Sequence, residues 1–316
     1  GNLIFMMTGF FMGLFIGAGI VIAQYFGARN YEKVRSAVHT DIAFALCCGV
    51  LLTLLGVFFT PTILTWMRTP ADVLSTSILY FRLYFLGSLA TILYNAGMGI
   101  LQAVGDSRSP LYYLVISSVV NVALDLLFVG AMDMGVAGAA VSTVFSKAVG
   151  LTLACITLKR RCTVHLSLKY LRPFPAETFR TLLGIALPSG AESLSYNVSQ
   201  TFILRFINLM GASVVSAKVY GSMLANVAYV YSIAVAQATQ ILLGYMIGAR
   251  KLDEVNGRVW STIRIALVVS ELLTLTILIF CDPIYNIFTA DPVIHALGRQ
   301  ILYVEFALEV GRSINI

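Results

Sequence analysis

Residues 111–129 read Leu-Tyr-Tyr-Leu-Val-Ile-Ser-Ser-Val-Val-Asn-Val-Ala-Leu-Asp-Leu-Leu-Phe-Val, an apolar run with a single charged residue, Asp125. Such a run approaches the ~20 residues a helix needs to cross a bilayer. Asn121 and Asp125 stand four residues apart, so a helix puts them on one face, one turn from each other. A carboxylate at that depth in lipid costs roughly 2.5–3.5 kcal/mol on insertion scales. It is therefore expected to face the protein interior or a wet cavity. The stretch reads as a transmembrane helix with a polar purpose on one side.

Similar runs recur along all 316 residues, of which 59% are hydrophobic and 11% charged, with mean hydropathy +0.87. A soluble domain carries about 25% charged residues. Hydropathy gives nine spans, at about 2–26, 36–60, 74–101, 111–131, 136–158, 182–208, 213–246, 260–281 and 295–316. The fold class is an all-α polytopic membrane protein; a transmembrane β-barrel would show short alternating segments instead. The net charge of +6 resides in short loops, which points to a bilayer and not to nucleic acid. Cys47, Cys48, Cys155, Cys162 and Cys281 lack metal-ligand spacing, and the adjacent Cys47-Cys48 pair reads as apolar packing. His39, His165 and His295 are dispersed, and no nucleophile–base spacing, Walker loop or dinucleotide fingerprint occurs, so no enzyme is expected. His39 and Asp41, near a helix start, read as solvated surface. The chain opens at Gly1 leading into a span and stops at Ile316 inside another, which reads as a piece of a longer protein truncated at both ends.

Lys and Arg bias sets the orientation. Arg29, Lys33 and Arg35, then Arg108, then Lys159, Arg160, Arg161, Lys169, Arg172 and Arg180, then Arg250, Lys251 and Arg258 mark the cytoplasmic loops. The opposite loops hold little beyond Arg68. A repeat is also present: Phe26-Gly27-Ala28-Arg29 is echoed by Ile247-Gly248-Ala249-Arg250, and Pro61 and Pro70 are echoed by Pro283 and Pro292. These prolines read as punctuation in corresponding loops. Both Gly-Ala-Arg turns fall on one side, so the copies are parallel repeats of the transporter type. The expected organisation is an N-lobe over residues 1–158, a cytoplasmic linker over 159–181 and a C-lobe over 182–316.

Other polar residues lie within spans. Glu192 follows Pro188 by one turn, and proline-weakened helices often line binding sites. Tyr196, Ser199 and Gln200 continue its face. Glu305, Glu309 and Arg312 also share a face, and the repeat maps Arg312 to Ala90 in mid-span, so Arg312 needs a carboxylate partner, with Glu309 or Glu192 the candidates. A fixed ion pair and direct substrate binding are both open for Arg312. Tyr84, Ser88, Thr91, Asn95 and Gln102 form a stripe on the span at 74–101, and Asn226, Tyr229, Gln237 and Gln240 form one on the span at 213–246. For Asp125 the alternatives are a static hydrogen-bond network and a site for a proton or cation. Lys147, Arg205, Lys218 and Glu271 take no role from the sequence.

The two six-helix units, the Gly27-Ala28-Arg29 turn, Leu101-Gln102-Ala103-Val104-Gly105-Asp106 ahead of Pro110, Asn121–Asp125, Gly135–Thr143 and Ala186-Leu-Pro188-Ser-Gly-Ala-Glu192 together resemble the multidrug and toxic compound extrusion (MATE) transporters, over helices two to ten of twelve. The resemblance implies two lobes around a central cavity, no cofactor, and export of organic, often cationic compounds in exchange for Na⁺ or H⁺. It also implies a cation site at Asn121, Asp125 and Thr143, completed by an Asp on a first helix that this chain does not contain. Glu192, Tyr196, Gln200, Glu309 and Arg312 are the corresponding substrate-cavity candidates in the C-lobe, although Glu192 stands closer to Pro188 than the family's helix-seven acidic residue does. The expected protein is a monomeric antiporter of the cell membrane. A lipid-linked substrate flippase, in which Arg205, Lys218 and Arg312 would converge on a phosphate, and a non-transporting receptor or scaffold are the alternatives.

Overall fold

A computed structural model describes residues 2–66, 71–161, 175–289 and 291–315. Arg68, Pro70, Cys162, His165, Lys169 and Arg172, used above, lie outside the described residues. The helices are α1 (Asn2–Gly27), α2 (Tyr31–Trp66), α3 (Ala71–Leu86), α4 (Ser88–Ala103), α5 (Arg108–Asp125), α6 (Gly135–Arg161), α7 (Ala176–Asn208), α8 (Ala212–Gly248), α9 (Leu252–Ile279), α10 (Cys281–Phe288) and α11 (Pro292–Asn315). No strand occurs among the described residues. Stretches of α1, α2, α6, α8 and α9, and α5 with the turn that follows it, are long and apolar enough to cross a membrane, and the bent α3–α4 pair supplies a seventh span. The remaining two expected spans lie in α7 and α11, which reach spanning length but carry polar faces.

The Gly-Ala-Arg turns show why the repeat is real at the level of backbone bonds. Arg29 N–H donates to Phe26 O at 3.0 Å and Asn30 N–H to Tyr25 O at 3.1 Å. Arg250 N–H donates to Ile247 O and Lys251 N–H to Met246 O, both at 3.0 Å. Each pair is a Schellman closure of a helix C-terminus. The left-handed residue is arginine both times, with φ of 56° at Arg29 and 60° at Arg250.

Three expectations about punctuation are corrected. Pro61 is not in a loop: α2 continues through it to Trp66, and its counterpart Pro283 lies in α10. Pro188 does not break α7, which is continuous from Ala176 to Asn208. The span at 74–101 is not one helix but α3 and α4, bent by 41°. The bend falls at Gly87, where a Cβ would lie 2.1 Å from a Val144 methyl of α6. The chain therefore turns where only glycine admits the neighbouring helix. Ser88 then donates to Phe85 O at 2.7 Å and bonds the Thr53 hydroxyl of α2 at 2.9 Å.

The chain divides into two compact units, Thr8–Glu192 and Ser193–Ile316 with residues 1–7. In the first, α2 packs on α3 and α4, and α6 packs on α3, α4 and α5; Ala18 and Val21 of α1 bury against Leu182 of α7. His39 and Asp41 belong to this interior: they are 5% and 2% exposed, which overturns their reading as solvated surface. The helix begins at Tyr31, so both residues already lie more than two turns inside it. His39 Nδ1 sits 2.6 Å from Arg35 O, while Asp41 Oδ1 is buried without a hydrogen-bond partner. In the second unit α8, α9 and α11 pack on one another, with Cys281, Tyr285 and Leu302 buried against Tyr220 and Leu224.

Candidate functional site

The outward side of α5 is apolar and exposed, with Leu111, Val115, Val119 and Val122 presented as a bilayer-facing surface that Leu126 continues beyond the helix end. The opposite side carries Ser117, Asn121 and Asp125 at successive turns. These face a matching column on α6. Ser142 donates its hydroxyl to Asp125 Oδ1. Two turns along, a Cβ at Gly150 would lie 2.6 Å from Ser117 Oγ. Both pairs fit one antiparallel register, which sets Asn121 level with Ser146. Asp125 is only partly buried, whereas Ser142 is fully buried. Asn121 Nδ2 and Ser117 Oγ are enclosed and make no hydrogen bond.

Asp125 is the last residue of α5, and a π-helical turn, Leu126–Ala131, follows it at once. The wide turn is closed by Met132 N–H donating to Leu127 O at 2.9 Å. Such π-turns concentrate at functional sites because they swing a side chain off the regular helical register. Nothing in Leu126–Ala131 marks it in the sequence.

Thr143 lies one residue away from the hydroxyl that meets Asp125. Its own hydroxyl donates to Ala139 O at 2.8 Å, leaving lone pairs free to accept or ligate. The structure thus joins Asp125 to Ser142, which the sequence reading missed; its only signal was the serine beside the threonine. Lys147, one turn beyond Thr143, lies with Nζ 4.9 Å from the centroid of the Tyr94 ring and meets no carboxylate among the described residues.

The second unit holds a charge network. Glu305 accepts from Lys218 Nζ at 3.1 Å and from an Arg312 nitrogen at 3.0 Å. The other guanidinium nitrogen of Arg312 donates to Glu309 at 2.8 Å, so Glu309 is the bonded member of the two partners offered by the sequence. Ser232 Oγ donates to the second Glu309 oxygen at 3.2 Å. The guanidinium carbon lies 5.1 Å from the centroid of the Tyr229 ring, and Tyr229 stacks on Tyr196 at 6.1 Å. Glu305 and Glu309 are 6% and 1% exposed. Glu192, Tyr196, Ser199 and Gln200 share an exposed face of α7. Arg205 is exposed and forms no ion pair among the described residues, so Arg205, Lys218 and Arg312 do not converge: two of them share Glu305 instead.

A Bacillus subtilis (strain 168) protein named as an uncharacterized transporter, YisQ, is 28% identical over 321 residues, covering all of this chain and 70% of its own length. The probable multidrug resistance protein YoeA of the same organism is 26% identical, over 96% of this chain and 67% of its own. A crystal structure of MATE in the straight conformation superposes with a TM-score of 0.88 at 24% identity, covering 99% of this chain and 72% of that one. The chain therefore spans about two thirds of the length of these relatives. The MatE family model matches residues 1–127 and 188–316, and with apolar helices repeated through both units the chain belongs to the MatE family of multi-pass membrane transporters.

Proposed function

We propose that the protein works as a secondary antiporter, exporting organic, often cationic compounds in exchange for Na⁺ or H⁺ by alternating access. The observation that carries the reading is the α5–α6 column: a half-buried carboxylate in an apolar span, held by Ser142 and flanked by an unpartnered Asn121 amide. Asn121, Asp125 and Thr143 are the proposed cation site, with Ser142 orienting the carboxylate. A bound cation or proton neutralises Asp125 and removes the cost of enclosing its charge, so occupancy shifts the balance between conformations. Names of relatives, among them probable multidrug resistance proteins, support the substrate class. Glu192, Tyr196, Gln200, Glu309 and Arg312 are the proposed substrate-side residues, with the Tyr196–Tyr229 stack offering an aromatic face of the kind that organic cations favour. No cofactor enters beyond the coupling ion, the working unit is a monomer, and the membrane is the cell membrane.

The flippase reading loses its main support, because Lys218 and Arg312 are neutralised by Glu305 and Glu309 and hold no free charge for a phosphate. The test is efflux of a cationic dye from proteoliposomes driven by an imposed Na⁺ or H⁺ gradient. Asp125→Asn is expected to abolish gradient-driven efflux. Unchanged efflux in that variant removes Asp125 from the mechanism.

A further inference from the structure

Glu271 of α9 has both carboxylate oxygens shielded from solvent, and neither has a hydrogen-bond partner. It lies within Coulombic reach of Glu309 on α11. Next to it, Ser270 bonds Ser313 of α11 at 2.9 Å, which fixes the two helices at this level. The helices packed on α9 bring few other charges. Lys218 stands on α8, Asp282 on α10, and Arg299, Glu305, Glu309 and Arg312 on α11. Asp282 and Arg299 are bonded to each other at an exposed rim, and His295 Nε2 is bonded to Thr289 O at 2.9 Å. On α9 itself, Arg264 is exposed and forms no ion pair among the described residues. The enclosed cluster therefore sets Glu271, Glu305 and Glu309 against Lys218 and Arg312, and one negative charge is left over.

A crevice of about 190 Å³ runs between α8, α9 and α11 up to this cluster. Its polar wall is Thr239, Gln240, Thr262, Ser232 and Ser313, among apolar neighbours. Ser232, which lines the crevice, is also the residue that donates to Glu309.

We propose that Glu271 holds one exchangeable proton that closes this charge balance. A hydronium ion of the solvent gives the proton to a Glu271 oxygen and is left as water, and the reverse step returns it. A metal cation does not fit the place. Both Glu309 oxygens are already engaged, the Arg312 guanidinium stands beside them, and too few free oxygens remain for an alkali-metal shell. The site is separate from Asp125, and the inference does not rest on the transport reading.

The test is a pH-difference infrared spectrum of the purified protein in lipid nanodiscs, with glutamate carboxyls labelled by ¹³C. A protonated-carboxyl band that shifts with the label and disappears in Glu271→Gln is expected. In Glu309→Gln the remaining charges balance, so the band should titrate about one pH unit or more lower. A band that fails to shift with the glutamate label, which needs no variant, overturns the proposal, as does one that survives in folded Glu271→Gln.

Discussion

Replacing Glu305 by Gln separates an ion network from ordinary helix packing. Glu305 is 6% exposed and accepts from two cations at 3.1 and 3.0 Å. At an effective dielectric near 20, each contact represents about 5 kcal/mol of Coulomb attraction. Most of that is offset by the cost of taking the charges out of water, and removing one partner of a buried pair destabilises by about 3–5 kcal/mol. Arg312 keeps Glu309, whereas Lys218 loses the only ion-pair partner it has among the described residues. The loss should therefore fall near the lower end, at about 3 kcal/mol. For a chain of this size that corresponds to a fall in Tm of roughly 6–12 °C, read by thermal unfolding in detergent. Lys218→Met combined with Glu305→Gln should cost less than the sum of the two single changes, because the second change removes a charge the first had orphaned. Additive losses, or a Glu305→Gln Tm within a degree of the parent, would refute the network.

Gly87→Ala places a methyl 2.1 Å from a Val144 methyl and should cost about 1–3 kcal/mol, with Val144→Ala restoring part of the loss; an unchanged Tm would remove the steric account of the α3–α4 bend. Arg29→Gly relieves a left-handed arginine that costs about 1–2 kcal/mol, while giving up a favourable charge at a helix C-terminus worth roughly 0.3–1 kcal/mol. A net gain of about 1 kcal/mol in unfolding free energy is expected, and a loss contradicts the strain argument. Asp41→Val removes a buried carboxylate that no hydrogen bond satisfies, and should raise stability by about 1–3 kcal/mol in the same assay. Destabilisation there would mean that the Asp41 carboxylate is engaged by a group the side-chain geometry does not reveal.

The apolar runs, the repeated Gly-Ala-Arg turns and the Asn121–Asp125 face were legible from residue order alone, because span length, turn chemistry and helical period are local properties. Glu305, Glu309 and Arg312 were legible for the same reason: at spacings of three, four and seven residues they meet on one helix whatever surrounds it. The hydroxyl that reaches Asp125 was not legible. Ser142 and Thr143 differ by about 100° around α6, and only the rotation of α6 against α5 decides which one turns inward. The polar column continuing to Ser117 had a readable period, but its importance rests on Ser142 and Gly150 standing opposite.

The sequence by itself determined a polytopic helical chain and one carboxylate that lipid does not tolerate. The tertiary structure decided where that carboxylate's partner is, where the span at 74–101 bends, and that His39 and Asp41 are interior. It also decided that both Glu271 oxygens are enclosed without a hydrogen-bond partner. The physical reason is the same in each case. Hydropathy and helical period act along one helix, while the cost of enclosing a charge depends on what a neighbouring helix brings to the same depth.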